Sequence, residues 1–247
     1  MGEVLARSGD IVRGLSLYNQ ALTLSQQCKD NLTHILVCNK IGELYRLMDD
    51  YTKSREYCET ALRKSKKIGY PRGEAHAFLV LGDLERRLSR HHESHIAFEK
   101  ALSIFERIED GRGKAASLRG HGDLAYFSND YDASRSYYEK AFILSREIGD
   151  RHTEARSLYG LARLDLAVGH RGQARVNCDQ ACMMFKEMND VWGEIDALCL
   201  SGNIEGDSNN HNGAKDLYRQ SWLLCEKIGQ KKEASLSFTK LSSFLFL

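Results

Sequence analysis

The segment His91-His92-Glu93-Ser94-His95 is the densest cluster of metal-capable side chains in the sequence. His91 and His95 stand four residues apart, which on a helix puts both imidazoles on one face. A zinc hydrolase of the His-Glu-x-x-His type needs a glutamate where His92 stands, so the run reads as the polar start of a helix. Cys178 and Cys182 have the same spacing, but Cys178 falls in a packing column of the repeat described below, where a thiol serves as a small hydrophobe. Arg63-Lys64-Ser65-Lys66-Lys67 lies late in a helical pattern, where positive charge complements the helix dipole. Gly111-Arg112-Gly113 lacks the lysine-serine pair and the preceding strand of a phosphate loop. No Ser-His-Asp or paired-carboxylate arrangement stands out. The expectation is a chain that is not an enzyme, with no cofactor and no metal.

The elements that must carry these residues repeat every 40 positions, without insertion. One column reads Ala21, Ala61, Ala101, Ala141, Ala181, Ser221. A second reads Gly2, Gly42, Gly82, Gly122, Ala162, Gly202, Ser242. A third, of large residues, reads Tyr18, Cys58, Phe98, Tyr138, Cys178, Tyr218, and a fourth reads Gly14, Ser54, Ser94, Ser134, Ala174, Ala214. Within a unit, apolar and small residues recur at steps of three and four, as at Cys38, Ile41, Tyr45 and Met48, which specifies two amphipathic helices per unit. Asp30, Asp110, Asp150 and Asp190 stand where a first helix (A) begins, and Asp10, Asp50 and Asp130 where a second (B) begins, as N-caps. Gly69, Gly149, Asn189 and Gly229 stand where B helices close in a left-handed residue. Glycine inside helix A costs about 1 kcal/mol against alanine. Close approach of a neighbouring helix backbone is the expected compensation.

Composition narrows the function. Charged residues make up 28% of the 247, yet the formal net charge is +1. That balance does not suit nucleic acid or an acidic membrane as main partner. No apolar run is long enough to span a bilayer. The N-terminus lacks a signal-peptide core, and Ala6 stands where a myristoylation motif wants Ser or Thr. Seven scattered cysteines with no C-x-x-C pair suit a reducing, cytoplasmic setting.

Cys38, Ile41, Gly42, Tyr45, Ser54, Cys58 and Ala61 fall on the spacing of the tetratricopeptide consensus, and Leu81-Gly82, Phe98, Ala101, Gly122, Tyr138 and Ala141 continue it. The chain resembles the tetratricopeptide family in its long, 40-residue form, like the repeats of Pins-type adaptors, of rapsyn, and of the regulatory arms of some signalling ATPases and transcription activators. The extra length is expected between helix B and the next helix A. The resemblance implies an all-α, right-handed helical solenoid of about six repeats. One solenoid would span 1–247: a partial repeat at 1–30, full repeats at 31–70, 71–110, 111–150, 151–190 and 191–230, and a half repeat at 231–247. It also implies that helix A lines a concave groove. Asn39, Glu43, Arg46, Asp83, Arg86, Arg119, Asp123, Tyr126, Arg156, Tyr159 and Arg163 would face it. These columns vary from unit to unit, whereas the packing columns repeat. The implied function is a scaffold or adaptor binding a protein or peptide, with a regulatory arm of a signalling ATPase or transcription activator as the alternative. Leu241, Phe244, Leu245, Phe246 and Leu247 form an apolar end, read as a truncated solenoid that self-associates.

Overall fold

Every element of this chain is set by its turns. In the computed structural model, which describes residues 2–229, a left-handed backbone residue recurs at each twentieth position. Gly9, Gly69, Gly149, Gly169 and Gly229 occupy five of these positions, and Lys29, Asp49, Ser89, Glu109, Asn129, Asn189 and Asn209 the others. The described residues form twelve helices: α1 (Gly2–Arg7), α2 (Ile11–Gln27), α3 (Asn31–Leu47), α4 (Tyr51–Ile68), α5 (Pro71–Arg87), α6 (His91–Arg107), α7 (Gly111–Phe127), α8 (Tyr131–Glu147), α9 (Arg151–Ala167), α10 (Arg171–Glu187), α11 (Val191–Asp207) and α12 (His211–Lys227). No strand occurs among the described residues. Even-numbered helices are the B type and odd-numbered ones the A type. Both types run to 17 residues almost throughout, so the long repeat is divided evenly and its extra length is not lodged between B and A. The apolar segment 241–247 and the half repeat at 231–247 lie outside the described residues.

The caps behave as the sequence predicts. Asp30, Asp50, Asp110, Asp130 and Asp190 each accept the backbone N–H three residues on, at 3.0–3.1 Å. Asp150 does so at 3.4 Å. Helix α5 has no side-chain cap and opens instead on Pro71 at its first position, where a missing N–H costs nothing.

The chain divides into two compact units among its described residues. One comprises 2–6 and 11–153, the other 7–10 and 154–229. In the first, α3, α5 and α7 each pack on the B helices before and after them, and α3 touches α5 as α5 touches α7.

The glycine column has a second cause beside the expected one. A Cβ at Gly82 would stand 2.7 Å from the Phe98 ring, at Gly122 2.7 Å from Tyr138, and at Gly202 2.6 Å from Tyr218. At these three positions the glycine admits the large B-helix residue of its own repeat; at Gly42 a Cβ would meet the Cys58 sulfur at 2.6 Å and also the Ser54 backbone carbonyl at 3.3 Å, the close backbone approach the sequence suggests. A serine completes the lock: Ser54, Ser94 and Ser134 donate to the carbonyls of Gly42, Gly82 and Gly122 at 2.8–3.0 Å. Where the column holds Ala162, the matching large position shrinks to Cys178.

A second size match joins successive repeats. A Cβ at Gly113 would stand 2.1 Å from Phe105, and one at Gly193 2.3 Å from Phe185. The equivalent pairs Ser25/Thr33 and Ser145/Thr153 reverse the sizes, whereas Ser65/Gly73 is small on both sides and the space beside Gly73 is shared by Ile35, Ser65 and Tyr70, 2.6–2.7 Å from a Cβ there. Gly111-Arg112-Gly113 is therefore a helix start that admits Phe105, with Asp110 capping it.

Candidate functional site

Direct A-to-A contact makes the exposed edges of α3, α5 and α7 one continuous face in the first unit. Its side chains are half-buried and hold one another. Asp83 on α5 is the hub. Its carboxylate lies 2.8 Å from Arg46 on α3, bonds Arg86 one turn along its own helix, and has Arg87 at 3.8 Å. Burial pushes this carboxyl up, but Arg46, Arg86, Arg87 and Arg119 together more than offset it and hold Asp83 well below the ordinary carboxylate range. The Arg86 guanidinium also lies over the Phe127 ring, 4.8 Å from its centre. Phe127 meets the Tyr126 ring edge-on, so an aromatic pair flanks the ionic hub.

One helix further along, Arg119 donates to Asp123 at 2.6 Å, and the Tyr138 hydroxyl donates to the other Asp123 oxygen at 2.8 Å. Glu43, at the α3 end, pairs with Lys40 at 3.3 Å. Lys40 is the main cause that draws its carboxyl down to about 2. Asn39 does not belong to this face: it is buried and its amide donates to the Gly73 carbonyl at 3.0 Å, joining α3 to α5.

In the second unit, Arg156 bridges Asp196 at 2.9 Å and Asp190 at 3.3 Å, and lies over the Phe185 ring at 5.0 Å. Burial alone would lower its pKa, but the two aspartates raise it. Burial, and then Asp196, push the Tyr159 hydroxyl up, and Arg163 lies over the Tyr159 ring at 5.8 Å. The predicted residues thus fall into two groups: Glu43, Arg46, Asp83, Arg86, Arg119, Asp123 and Tyr126 in one unit, and Arg156, Tyr159 and Arg163 in the other.

Sequence reasoning missed Tyr138 and Tyr218. Both fill the glycine notch with the ring and pass the hydroxyl through to an A-helix residue 15 positions earlier, Tyr218 reaching Asn203 at 2.8 Å. The signal was present as tyrosine, rather than Phe98 or Cys58, in that column.

The other chemical candidates resolve into structure. Burial pushes the thiols of Cys58 and Cys178 up to about 12 and that of Cys38 to about 11, the opposite of what a nucleophile needs. All seven cysteines are free. Lys66 and Lys67 lie exposed at the end of α4, with Ser65 buried between the turns. A cleft of about 570 Å³ lies between α10, α11 and α12, lined by Arg175, Cys182, Lys186, Ser201, Glu205 and Leu217 among others. No described helix is long and apolar enough to cross a membrane.

Residues 32–107 match the tetratricopeptide repeat family model. No curated protein sequence matches significantly. Among solved structures, a Rap protein complexed with competence and sporulation factor is 15% identical, with a TM-score of 0.73 over 98% of this chain and 72% of that one. Aspartyl phosphate phosphatase F from Bacillus subtilis is 14% identical, with a TM-score of 0.65 over 100% of this chain and 68% of that one. A signal transduction ATPase with numerous domains and a tetratricopeptide repeat sensor, from Pyrococcus horikoshii, is 17% identical, with a TM-score of 0.64 over 96% of this chain and 37% of that one. At these identities the likeness is one of fold. The fold is that of the tetratricopeptide repeats, and residues 32–107 carry the family's own sequence pattern.

Proposed function

We propose that this chain is a protein-interaction scaffold that takes a peptide or helix of a partner along the face of α3, α5 and α7. The observation that carries this reading is the pre-ordered face itself. Arg46, Arg86 and Arg119 are already held by Asp83 and Asp123 beside the Tyr126–Phe127 pair. Guanidinium forks fixed in place lose little freedom when they bond a partner carboxylate or carbonyl, and aromatic rings add contact area at low entropic cost. The charges are mixed, so the partner segment carries both acidic and polar groups rather than a run of one sign. The buried, high-pKa thiols of Cys38, Cys58 and Cys178 support binding rather than catalysis as the role. A cytoplasmic setting suits the seven free cysteines.

The test is affinity capture with wild type, Tyr126→Ala/Arg119→Gln, and the outer-face control Glu139→Lys on α8. The paired variant should lose a partner that wild type and control both retain, with circular dichroism melts unchanged within a few degrees. Equal capture by all three would move the binding surface off this face. Arg163→Glu is a poor probe, because that guanidinium is packed on Tyr159 and its reversal would disturb the fold.

A second reading, a regulatory arm of a signalling ATPase or transcription activator, draws on the likeness to the ATPase with a repeat sensor, of which the match covers 37%. A nucleotide-binding or DNA-binding domain encoded beside these repeats in the same gene would favour the arm over the free-standing scaffold.

A further inference from the structure

We propose that His95, Glu99 and His121 form a zinc site that clips α6 to α7, the B helix of one repeat to the A helix of the next. His95 and Glu99 are four residues apart on one face of α6, and His121 comes from α7. One ligand atom from each lies within 4.8 Å of the other two. Glu99 Oε1 and His121 Nε2 are 3.2 Å apart. Adjacent ligands of a tetrahedral zinc with bonds of about 2.0–2.2 Å stand roughly 3.3 Å apart, so this pair already spans one edge of such a site. The His95 ring must approach by up to about 1.5 Å, which an exposed side chain on a helix surface can do by rotamer change.

The state of His121 points to a ligand. Its side chain is 2% exposed, and Nε2 sits in the interior with no hydrogen-bond partner. The contact to Glu99 has the distance of an ion pair but not the angle of a hydrogen bond. A buried, unsatisfied imidazole nitrogen is costly, and a metal would satisfy it. The ring is also fixed for the task. It stacks on Tyr137 at 5.1 Å and 20° and meets Phe98 at 5.6 Å, while the His95 ring approaches edge-on at 5.4 Å. Two imidazoles and one carboxylate select zinc and its neighbours over magnesium or calcium, which prefer all-oxygen shells. His95 and Glu99 are both exposed, so the fourth position opens to water.

This site is separate from the proposed binding face. His121 lies two residues from both Arg119 and Asp123, which at 100° per residue places it on the other side of α7. It also departs from the sequence expectation of no metal, which weighed His91 with His95 along one helix and had no means of seeing His121.

Zinc titration by calorimetry on the purified, metal-stripped chain tests the site, with melting temperature as second readout. Wild type should bind one equivalent and melt higher when loaded. Loss of an outer-shell partner alone weakens metal sites roughly 10–100-fold, so His95→Ala and Glu99→Ala should each weaken binding by at least about tenfold. Both residues are exposed, so neither change threatens folding. His121→Gln should also abolish the zinc-dependent rise in melting temperature. His91→Ala/His92→Ala should bind as wild type does. The proposal is overturned if wild type shows no saturable one-to-one binding. It is equally overturned if the His91/His92 variant loses affinity while Glu99→Ala keeps it, because zinc would then sit on the exposed histidine run alone.

Discussion

Substituting Gly122 with alanine tests the packing logic and its link to the binding face in one experiment. The new Cβ would meet Tyr138 Cδ1 at 2.7 Å, Cε1 at 2.8 Å and Cγ at 3.1 Å. Carbon atoms in contact rest at about 3.5–4.0 Å, so the ring edge must retreat by about 0.8 Å. It is held from both ends: the hydroxyl donates to Asp123 at 2.8 Å, and Ser134, one turn earlier on α8, donates to the Gly122 carbonyl at 3.0 Å. Overpacking of this kind costs about 1–3 kcal/mol, and loosening the hydroxyl bond adds about 0.5–1.5 kcal/mol. Alanine returns about 1 kcal/mol of helix propensity. The net expectation is a loss of about 0.5–3.5 kcal/mol. Gly172→Ala on α10 is the control, because nothing lies within 4 Å of its Cβ position; it should be neutral or stabilising by up to about 1 kcal/mol. The pairing Ala162/Cys178 already shows the compensated form, so adding Tyr138→Cys to Gly122→Ala should relieve the clash. The double mutant should then be more stable than the two single losses add to, by about 1 kcal/mol or more. Urea and thermal unfolding followed by circular dichroism would measure wild type, the three single mutants (Gly122→Ala, Gly172→Ala and Tyr138→Cys) and the double mutant. If Gly122→Ala melts at or above wild type, as Gly172→Ala should, the notch is not filled by Tyr138 and the column has been misassigned.

Glu109 holds φ 54° in the turn between α6 and α7, a conformation that costs a non-glycine residue about 1–2 kcal/mol. Glu109→Gly should therefore raise stability by about 0.5–1 kcal/mol after glycine's entropic cost, while Gly149→Ala, at φ 68°, should lower it by a similar amount; unfolding midpoints that fail to move in opposite directions would refute the turn argument. Asp83 carries the pH dependence. Its folded pKa lies below the ordinary value near 3.9, so its contribution is complete above about pH 5 and is lost as pH falls through the folded pKa. Asp83→Asn should cost about 2 kcal/mol near neutrality, discounted for partial exposure, and the gap to wild type should begin to narrow below about pH 4 and keep narrowing toward the lower folded pKa; parallel stability profiles would show that the arginines do not depend on this carboxylate.

The architecture was legible because it repeats. Columns at a shift of 40, aspartate caps and closing glycines mark helix starts and ends that the structure reproduces. The partners of those columns were less legible, because a repeat shows that a position is constrained but not by what. The second size match, Phe105 with Gly113 against Ser145 with Thr153, is written in the sequence as paired substitutions. It becomes readable only once the eight-residue offset from B helix to next A helix is known to be a contact. Asn39 failed for a related reason. Its column mixes Asn39, Leu79, Arg119, Tyr159 and Cys199, so the residue type alone does not place it, and its amide finds the Gly73 carbonyl on the neighbouring helix. The same blindness hid His121, which meets His95 and Glu99 across a repeat junction.

The face and the core are not independent layers. Along the column Glu43, Asp83, Asp123, Arg163 and Asn203, each residue is held in a way that depends on the large residue beneath it. Where that residue is Tyr138 or Tyr218, its hydroxyl holds Asp123 or Asn203 from below. Where it is Phe98 no hydroxyl is available, and Asp83 is held from the sides by Arg46 and Arg86. Where it is Cys58 or Cys178, Glu43 takes Lys40 and Arg163 lies on Tyr159. A tyrosine fixes an acceptor without adding charge, whereas lateral pairing gathers several arginines around one carboxylate. In the first unit the two modes coexist: Asp83 above Phe98 is held by arginines alone, whereas Asp123 above Tyr138 is held by the tyrosine hydroxyl from below and by Arg119 from the side.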